Sequence, residues 1–339
     1  MIGHVDLKAS YMGLELAHPI VASAGPLSKD LDGVRRLEDG GAAAIGLFSL
    51  FEEQIARDAA MAESLRAAGT ESFAESLSYF PEVADFRVGP DRYLDLVRRA
   101  REATRVPIIA SLNGTTEAGW LSYARLLQEA GASAIELNVY YVPADLETSG
   151  REVEDRYVDV LRAVKAHVTV PVAIKVGPFF SAFGHMAKRL DEAGADALVL
   201  FNRFYQPDFD LERREVSRAI ELSSPRELRI PLLWLAVLFG KLKASLAASS
   251  GVETPLEVVK ALMAGADVVM TTSALLRHGP SHLGRLRAGL AEWLSTNEYR
   301  SVAQLRGSMS HQRVPDASAF ERANYVGSLA SFEAPRFSR

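Results

Sequence analysis

Cysteine is absent from the chain. That excludes disulfides, thiolate zinc sites, iron–sulfur clusters and a cysteine nucleophile. Long apolar runs are missing too. The longest, IPLLWLAVLF at 230–239, is about half the ~20 residues that span a bilayer, and it reads as a buried helix. The opening residues, MIGHVDLKAS, lack the basic-then-apolar order of a signal peptide. Strong charge of either sign is lacking, and a net charge of −5 argues against a broad nucleic-acid footprint. These absences imply a soluble, cytoplasmic protein with no membrane or nucleic-acid partner. A chain of 339 residues buries roughly three quarters of its unfolded surface, so its core needs no covalent staples.

What is present is a repeated phrase. LEDGGAAAIGLFS (37–49), LQEAGASAIELNV (127–139), LDEAGADALVLFN (190–202) and LMAGADVVMTTSA (262–274) share one order: a helix end, a Gly–Ala turn, then a short apolar strand. RVPIIASLN (105–113) and TVPVAIKVG (169–177) begin strands after a proline, which cannot continue a helix. Strands are expected at about 19–24, 43–48, 107–112, 134–139, 171–176, 196–201, 244–248 and 267–272. Strands alternating with helices imply a parallel sheet, and eight such units predict a (β/α)8 TIM barrel. An open doubly wound sheet is the alternative; no GxGxxG turn follows the first strand to support it.

The barrel is expected over 1–310, with a C-terminal extension at 311–339 that packs on the barrel or on a second subunit. Residues 50–105 form a long insertion between strands 2 and 3. FEEQIARDAAMAESLRAA within it reads as helical, and SYFPEVADFRVGPDR as an irregular loop over the barrel mouth. Long loops of this kind are usually lids or binding loops.

Side chains alternate faces along a strand. That places Asn113, Asn138, Lys175 and Asn202 inside the barrel near strand C-termini, where barrel active sites are built. In the sixth strand the alternation groups Leu198 and Leu200 with Asn202. One inward asparagine is ordinarily a satisfied core group. Four polar residues on consecutive strands, one of them a lysine that is costly to bury alone, imply a polar, planar ligand. The last two strands end in Ser249-Ser250-Gly251 and Thr271-Thr272-Ser273. Either could be plain N-capping. Together, on the two strands where barrels commonly bind phosphate, they favour an anion held by main-chain N–H groups. On residues alone, Lys175 could also serve as the Schiff-base lysine of a phosphate-handling aldolase or isomerase. His278 and His282 are four apart, but Pro280 lies between them and no third ligand is evident, so no metal site is expected.

These blocks resemble the dihydroorotate dehydrogenase family of FMN-dependent barrels, from about residue 5 to 310. The likeness lies in HPIVASAG, IELN, VAIKVGP, the asparagine ending the sixth strand, SGVETPLEVVKALMAGAD and SALLRHGP, and it is nearest to a bacterial dihydroorotate dehydrogenase-like branch. The resemblance implies FMN as cofactor and hydride transfer between the flavin and a small planar substrate, with dihydroorotate/orotate of pyrimidine biosynthesis as candidate. Ala22, Ser23, Ala24 and Gly25 would pass their backbone along the flavin, and Lys175 would face its N1 and O2. Asn113 and Ser49 would help hold it. Asn138 and Asn202 would bond flavin or substrate, with Tyr140 and Arg203 on the substrate side. Ser250, Gly251, Thr272 and Ser273 would hold the FMN phosphate. Electrons would leave to a soluble acceptor or an electron-transfer protein, and the family suggests a homodimer.

Three departures from the family pattern stand out. The lysine usual at the end of the second strand is replaced by Gly46-Leu47-Phe48. The substrate loop Asn-x-x-Gly-Leu-x-Asn corresponds to SYFPEVADF (78–86), which has neither asparagine. The catalytic base, a Cys or Ser three residues after the fourth-strand asparagine, falls on Tyr141, and Cys-Pro-Asn reads Tyr141-Val142-Pro143. A phenol of pKa near 10 needs roughly 4 kcal/mol of preferential stabilisation to act as a base at pH ~7, although it can donate a proton unaided. Tyr141 is therefore an acid/base candidate, and the alternative is that Tyr140 and Tyr141 only wall the pocket. The same departures also fit a flavin- or phosphate-ligand barrel with a divergent substrate or lost catalysis.

Overall fold

The computed structural model describes residues 5–52, 90–114, 117–203, 207–217, 221–320 and 322–331. A hairpin of β1 (Ala9–Tyr11) and β2 (Leu14–Leu16) precedes the barrel. The staves are β3 (Ile20–Ala22), β4 (Ile45–Gly46) continued by β5 (Leu50–Phe51), β6 (Ile108–Asn113), β7 (Ala134–Asn138), β8 (Val172–Val176), β9 (Ala197–Leu200), and, after the hairpin β10 (Asp208–Asp210) and β11 (Glu215–Ser217), β12 (Ser245–Ser249) and β13 (Val268–Thr271). They pair in the order β4-β3-β13-β12-β9-β8-β7-β6-β5, and β4 also pairs with β6. The ring therefore closes with every pairing parallel. All eight expected strands are staves of this barrel, and the open-sheet alternative is excluded.

The repeated phrase has a physical reason. Gly41, Gly131, Gly194 and Gly265 all take positive φ, the conformation that ends a helix at little cost only for glycine. The following alanines turn their N–H groups back onto the helix: Ala42 to the Leu37 carbonyl, Ala132 to Leu127, Ala195 to Leu190 and Ala266 to Ala261, at 3.0–3.1 Å. Acids just before the next stave then fasten it to the preceding one. Asp196 accepts from the Val172 N–H at 2.7 Å, and Asp267 from that of Leu246 at 2.8 Å.

The outer helices include α1 (Leu31–Asp39), α2 (Pro90–Ala103), α3 (Glu117–Glu129), α4 (Gly150–Lys165), α5 (Phe183–Glu192), α6 (Arg229–Leu238), α7 (Pro255–Ala264), the short α8 (Ser273–His278) and α9 (His282–Thr296). The apolar run at 230–239 is α6, with Leu235, Ala236 and Leu238 buried. No helix among the described residues is long and apolar enough to cross a membrane. Of the expected insertion, β5 and α2 are described. In FEEQIARDAAMAESLRAA, Phe51 belongs to β5; the residues after Glu52, and the substrate loop at 78–86, lie outside the described residues. Past α10 (Val302–Leu305), main-chain bonds join Gly307 to Leu262, Met309 to Met263 and His311 to Ala236. The chain thus stays on the barrel across residue 310, before α11 (Arg322–Ala330).

Small residues fill the barrel axis. Ala134, Ala173, Ala197, Val199, Ala247 and Val268 meet there, and Tyr11, Met12 and Leu16 of the hairpin close the N-terminal end. Alternation along β6, β7 and β8 falls as expected. In β9 it does not: Ala197 and Val199 face the axis, while Leu198 and Leu200 join the layer under the helices. Phe201 also turns outward, 4.9 Å edge-on from Phe183. Two consecutive outward residues break the period of two where the strand stops, so the grouping of Asn202 with Leu198 and Leu200 was wrong. Asn202 reaches the rim by leaving the strand.

His18 sits at the foot of β3, 3% exposed. Its Nδ1 accepts from the Ile20 N–H at 3.3 Å, a bond only a neutral ring can accept. Burial, with the Arg287 charge adding to it and a bond to the Gly41 main chain opposing, lowers its pKa to about 4. The unfolded chain takes up this proton near pH 6.5 and the folded chain only near 4. The His18 contribution is thus fully present above about 6.5 and lost as pH falls toward 4, by about 3 kcal/mol in total. Urea unfolding at pH 7 and pH 4.5 should show that loss, and His18→Asn should lack it.

Candidate active site

The C-terminal ends of the staves bring most of the expected residues to one mouth. Lys175, Asn113, Asn202, Ser23 and Ser49 are each less than a tenth exposed. Lys175 leaves β8, crosses the axis and donates to Ser23 Oγ on the opposite stave at 3.4 Å. Asn138, level with Lys175 on the neighbouring strand, keeps its Oδ1 buried with no hydrogen-bond partner among the described residues. A buried carbonyl oxygen left without a donor is costly, so this atom is positioned for a ligand N–H or O–H. Asn202 donates weakly to the Lys175 carbonyl at 3.5 Å. Ser49 Oγ bonds Ser111 Oγ at 2.8 Å. The Ser111 N–H and carbonyl both bond the Tyr93 hydroxyl at 3.2 Å, which is held well above the usual phenol range by burial.

The segment 22–25 is tied down from both sides. Thr272 Oγ1 bonds the Ser23 and Ala24 carbonyls at 3.2 and 3.4 Å. A Cβ on Gly25 would lie 2.5 Å from Thr272 Cγ2, and one on Gly46 would lie 2.8 Å from the Ala24 nitrogen. The close approach of backbone to backbone gives Gly46 a packing reason to lack a side chain.

Beyond β12, Ser250 and Gly251 both take φ of 75°, a left-handed turn at the end of the stave. Gly251 and Ser273 are brought together there by a residue the sequence reading missed, Ser223. Its hydroxyl accepts from the Gly251 N–H at 3.3 Å and bonds Ser273 Oγ at 2.9 Å. Arg277 clamps this segment by donating to the Ser223 and Leu222 carbonyls at 2.8 and 3.0 Å, and it pairs with Glu253 at 3.1 Å. His278 and His282 also bond Glu253, through its Oε1 at 3.3 Å and its carbonyl at 2.7 Å. Among the described residues no group of three or more His, Asp or Glu could hold a metal ion.

The tyrosines lie to one side. Tyr140 is 36% exposed, and the Arg156 guanidinium sits 4.5 Å over the Tyr141 ring. Tyr157 on α4 bonds the Tyr141 main chain. Burial pushes the Tyr157 phenol up to about 12 against the opposing Arg156 charge. Arg203, beside Asn202, faces Glu227 at 3.5 Å.

The family model described as dihydroorotate dehydrogenase matches residues 87–294, well over half of the chain. The chain belongs to the dihydroorotate dehydrogenase family. Asn113, Asn138, Lys175, Asn202 and the residues after β12 and β13 fall inside the matched region; Ala22–Gly25 and Ser49 precede it. The chain is 26% identical over 318 residues to the catalytic subunit of dihydroorotate dehydrogenase B (NAD(+)) of Methanothermobacter thermautotrophicus, covering 89% of this chain and 97% of that one. It is 28% identical over 229 residues to the same-named subunit of Citrifermentans bemidjiense, covering 66% and 74%. It is also similar to the NAD-dependent dihydropyrimidine dehydrogenase subunit PreA of Escherichia coli, at 22% identity over 332 residues, 91% of this chain and 78% of that one. Enzymes of this family are FMN-dependent oxidoreductases.

Two polar residues at the site were given no role by the sequence reading. Glu136 shares a strand face with Asn138 and was legible from alternation. Ser223 sits in ELSSPREL, which reads locally as a helix cap; only the folded chain brings it to Gly251 and Ser273.

Proposed function

We propose that this protein is an FMN-dependent oxidoreductase acting on a CH–CH bond of a small planar substrate, with dihydroorotate as the candidate. The observation that carries this is the pairing of a buried Asn138 carboxamide oxygen, without a hydrogen-bond partner among the described residues, with the Lys175 ammonium at the mouth of a barrel of this family. An oxygen acceptor and a cation at the same level on adjacent strands suit an aromatic ring carrying both N–H and carbonyl edges. The residues fit FMN: Lys175, Asn138 and Asn113 for the ring, the backbone of Ala22–Gly25 along its edge, and Ser250, Gly251, Thr272 and Ser273, with Ser223, for its phosphate. Two-electron hydride exchange is the chemistry FMN supplies at such a site. Lys175 provides fixed positive charge where electron density accumulates, which is electrostatic preorganisation. Asn202 and Arg203 orient a carboxylate-bearing substrate on the β9 side. A soluble acceptor, such as NAD, or an electron-transfer protein would take the electrons.

The proton partner is Tyr141. Its ring lies under the Arg156 guanidinium, and its phenol would exchange the proton that accompanies hydride transfer. Tyr141→Phe should slow reduction of the bound flavin by dihydroorotate by about 10²-fold in stopped-flow measurements. An unchanged rate would leave Tyr140 and Tyr141 as pocket walls. The second reading, a flavin-binding barrel with another substrate or none, draws on the same contact, because a ring covered by Arg156 on one face has less of itself to offer a substrate. Steady-state turnover of dihydroorotate with an artificial acceptor separates the two: activity supports the first, and bound flavin that dihydroorotate does not reduce supports the second.

A further inference from the structure

Beneath the mouth lies a buried acid that neither the flavin contacts nor the proton partner uses. Glu136 is 3% exposed on β7, one inward position below Asn138. Its Oε1 lies 3.8 Å from Lys175 Nζ and accepts no hydrogen bond among the described residues. Below it, the Tyr11 hydroxyl at the closed end of the barrel is likewise buried without a partner. Burial first, and then the charge of Glu136, raise its pKa well above the usual phenol value.

We infer that Glu136 is a positioning residue that compensates the Lys175 ammonium and thereby sets how strongly this site favours reduced over oxidised flavin. The inference rests on the FMN reading. Lys175 spans the barrel between Ser23 Oγ on one side and Glu136 on the other. The first contact fixes where its charge points, and the second fixes how much of that charge is left uncompensated. A buried ammonium with no counter-ion is strongly unfavourable. A carboxylate within 4 Å of it also offsets the attraction it exerts on electron density gathered above. Tyr11 stops the axis below, so the pair is closed off from that end. Removing the negative charge while keeping the shape leaves the cation unopposed, and reduced flavin is then held more tightly relative to oxidised.

The test is the midpoint potential of bound FMN in Glu136→Gln, by dye-equilibrated spectrophotometric titration. The expected result is an upward shift, equivalent to about a tenfold rise in affinity for reduced over oxidised FMN. Tyr11→Phe, which removes a neutral group from the same column, should leave the potential in place. An unshifted or lowered potential in Glu136→Gln overturns the inference, as does an equal shift in Tyr11→Phe. A protein-only readout guards against poor folding. In a double-mutant cycle of Glu136→Gln and Lys175→Met, the double variant should lose less thermal stability than the sum of the singles. Additive losses contradict the pairing. Wild-type protein that takes up no FMN contradicts the flavin reading and the redox role together. Bound flavin at an unchanged potential in Glu136→Gln contradicts this inference alone.

Discussion

Replacing Lys175 with methionine is expected to lower turnover by about 10²- to 10³-fold, the usual cost of removing one preorganised charge or donor from a reacting centre. Methionine fills similar space without an ammonium, so the loss should fall mainly on kcat. The same change leaves Glu136 in the barrel without its counter-charge and withdraws the donor from Ser23 Oγ. Breaking a buried pair by removing one partner costs about 3 kcal/mol or more, so the melting temperature should fall as well. Lys175→Arg keeps the charge but is bulkier, and should recover stability better than rate. A Lys175→Met protein with wild-type turnover would remove this residue from the chemistry.

The second large effect is expected at Gly251. Its φ of 75° disfavours any side chain, and a Cβ there would lie 2.6 Å from the Leu228 nitrogen and 2.8 Å from the Ser224 carbonyl oxygen. Both are backbone atoms that cannot rotate away. Gly251→Ala should push the 223–228 segment off the β12 turn, carrying Ser223 with it, and weaken FMN binding by about 100-fold or more. The stability cost should be about 2–4 kcal/mol, backbone strain and clash combined. Gly13 is the control: its φ is 76°, but a Cβ would meet nothing within 4 Å. Gly13→Ala should cost only about 1 kcal/mol and leave FMN retention intact. Fluorescence titration with FMN and urea unfolding on both variants separate the clash from the strain. Equal behaviour of the two would mean that the Gly251 turn does not shape the phosphate site.

Four staves were legible in the sequence because the helix before them ends on a glycine at positive φ followed by a small residue that must be buried, and two more because a proline precedes them. Those are local demands with local signatures. Strand faces were legible wherever the period of two ran unbroken, which correctly oriented Asn113, Asn138 and Lys175. It failed at β9, where Leu200 and Phe201 both turn outward to the helical layer, a packing preference that alternation does not encode. Glu136 was visible in the same alternation as Asn138. Ser223 and Arg277 were not, because their meaning lies in contacts with residues 28 or more positions away.

The most direct test of the flavin reading is release and identification of what the purified protein carries. Denatured protein should liberate FMN, and apo-protein titrated with FMN should saturate at one per chain, with Lys175→Met and Gly251→Ala both weakened. A colourless protein that binds no FMN in that titration would contradict it.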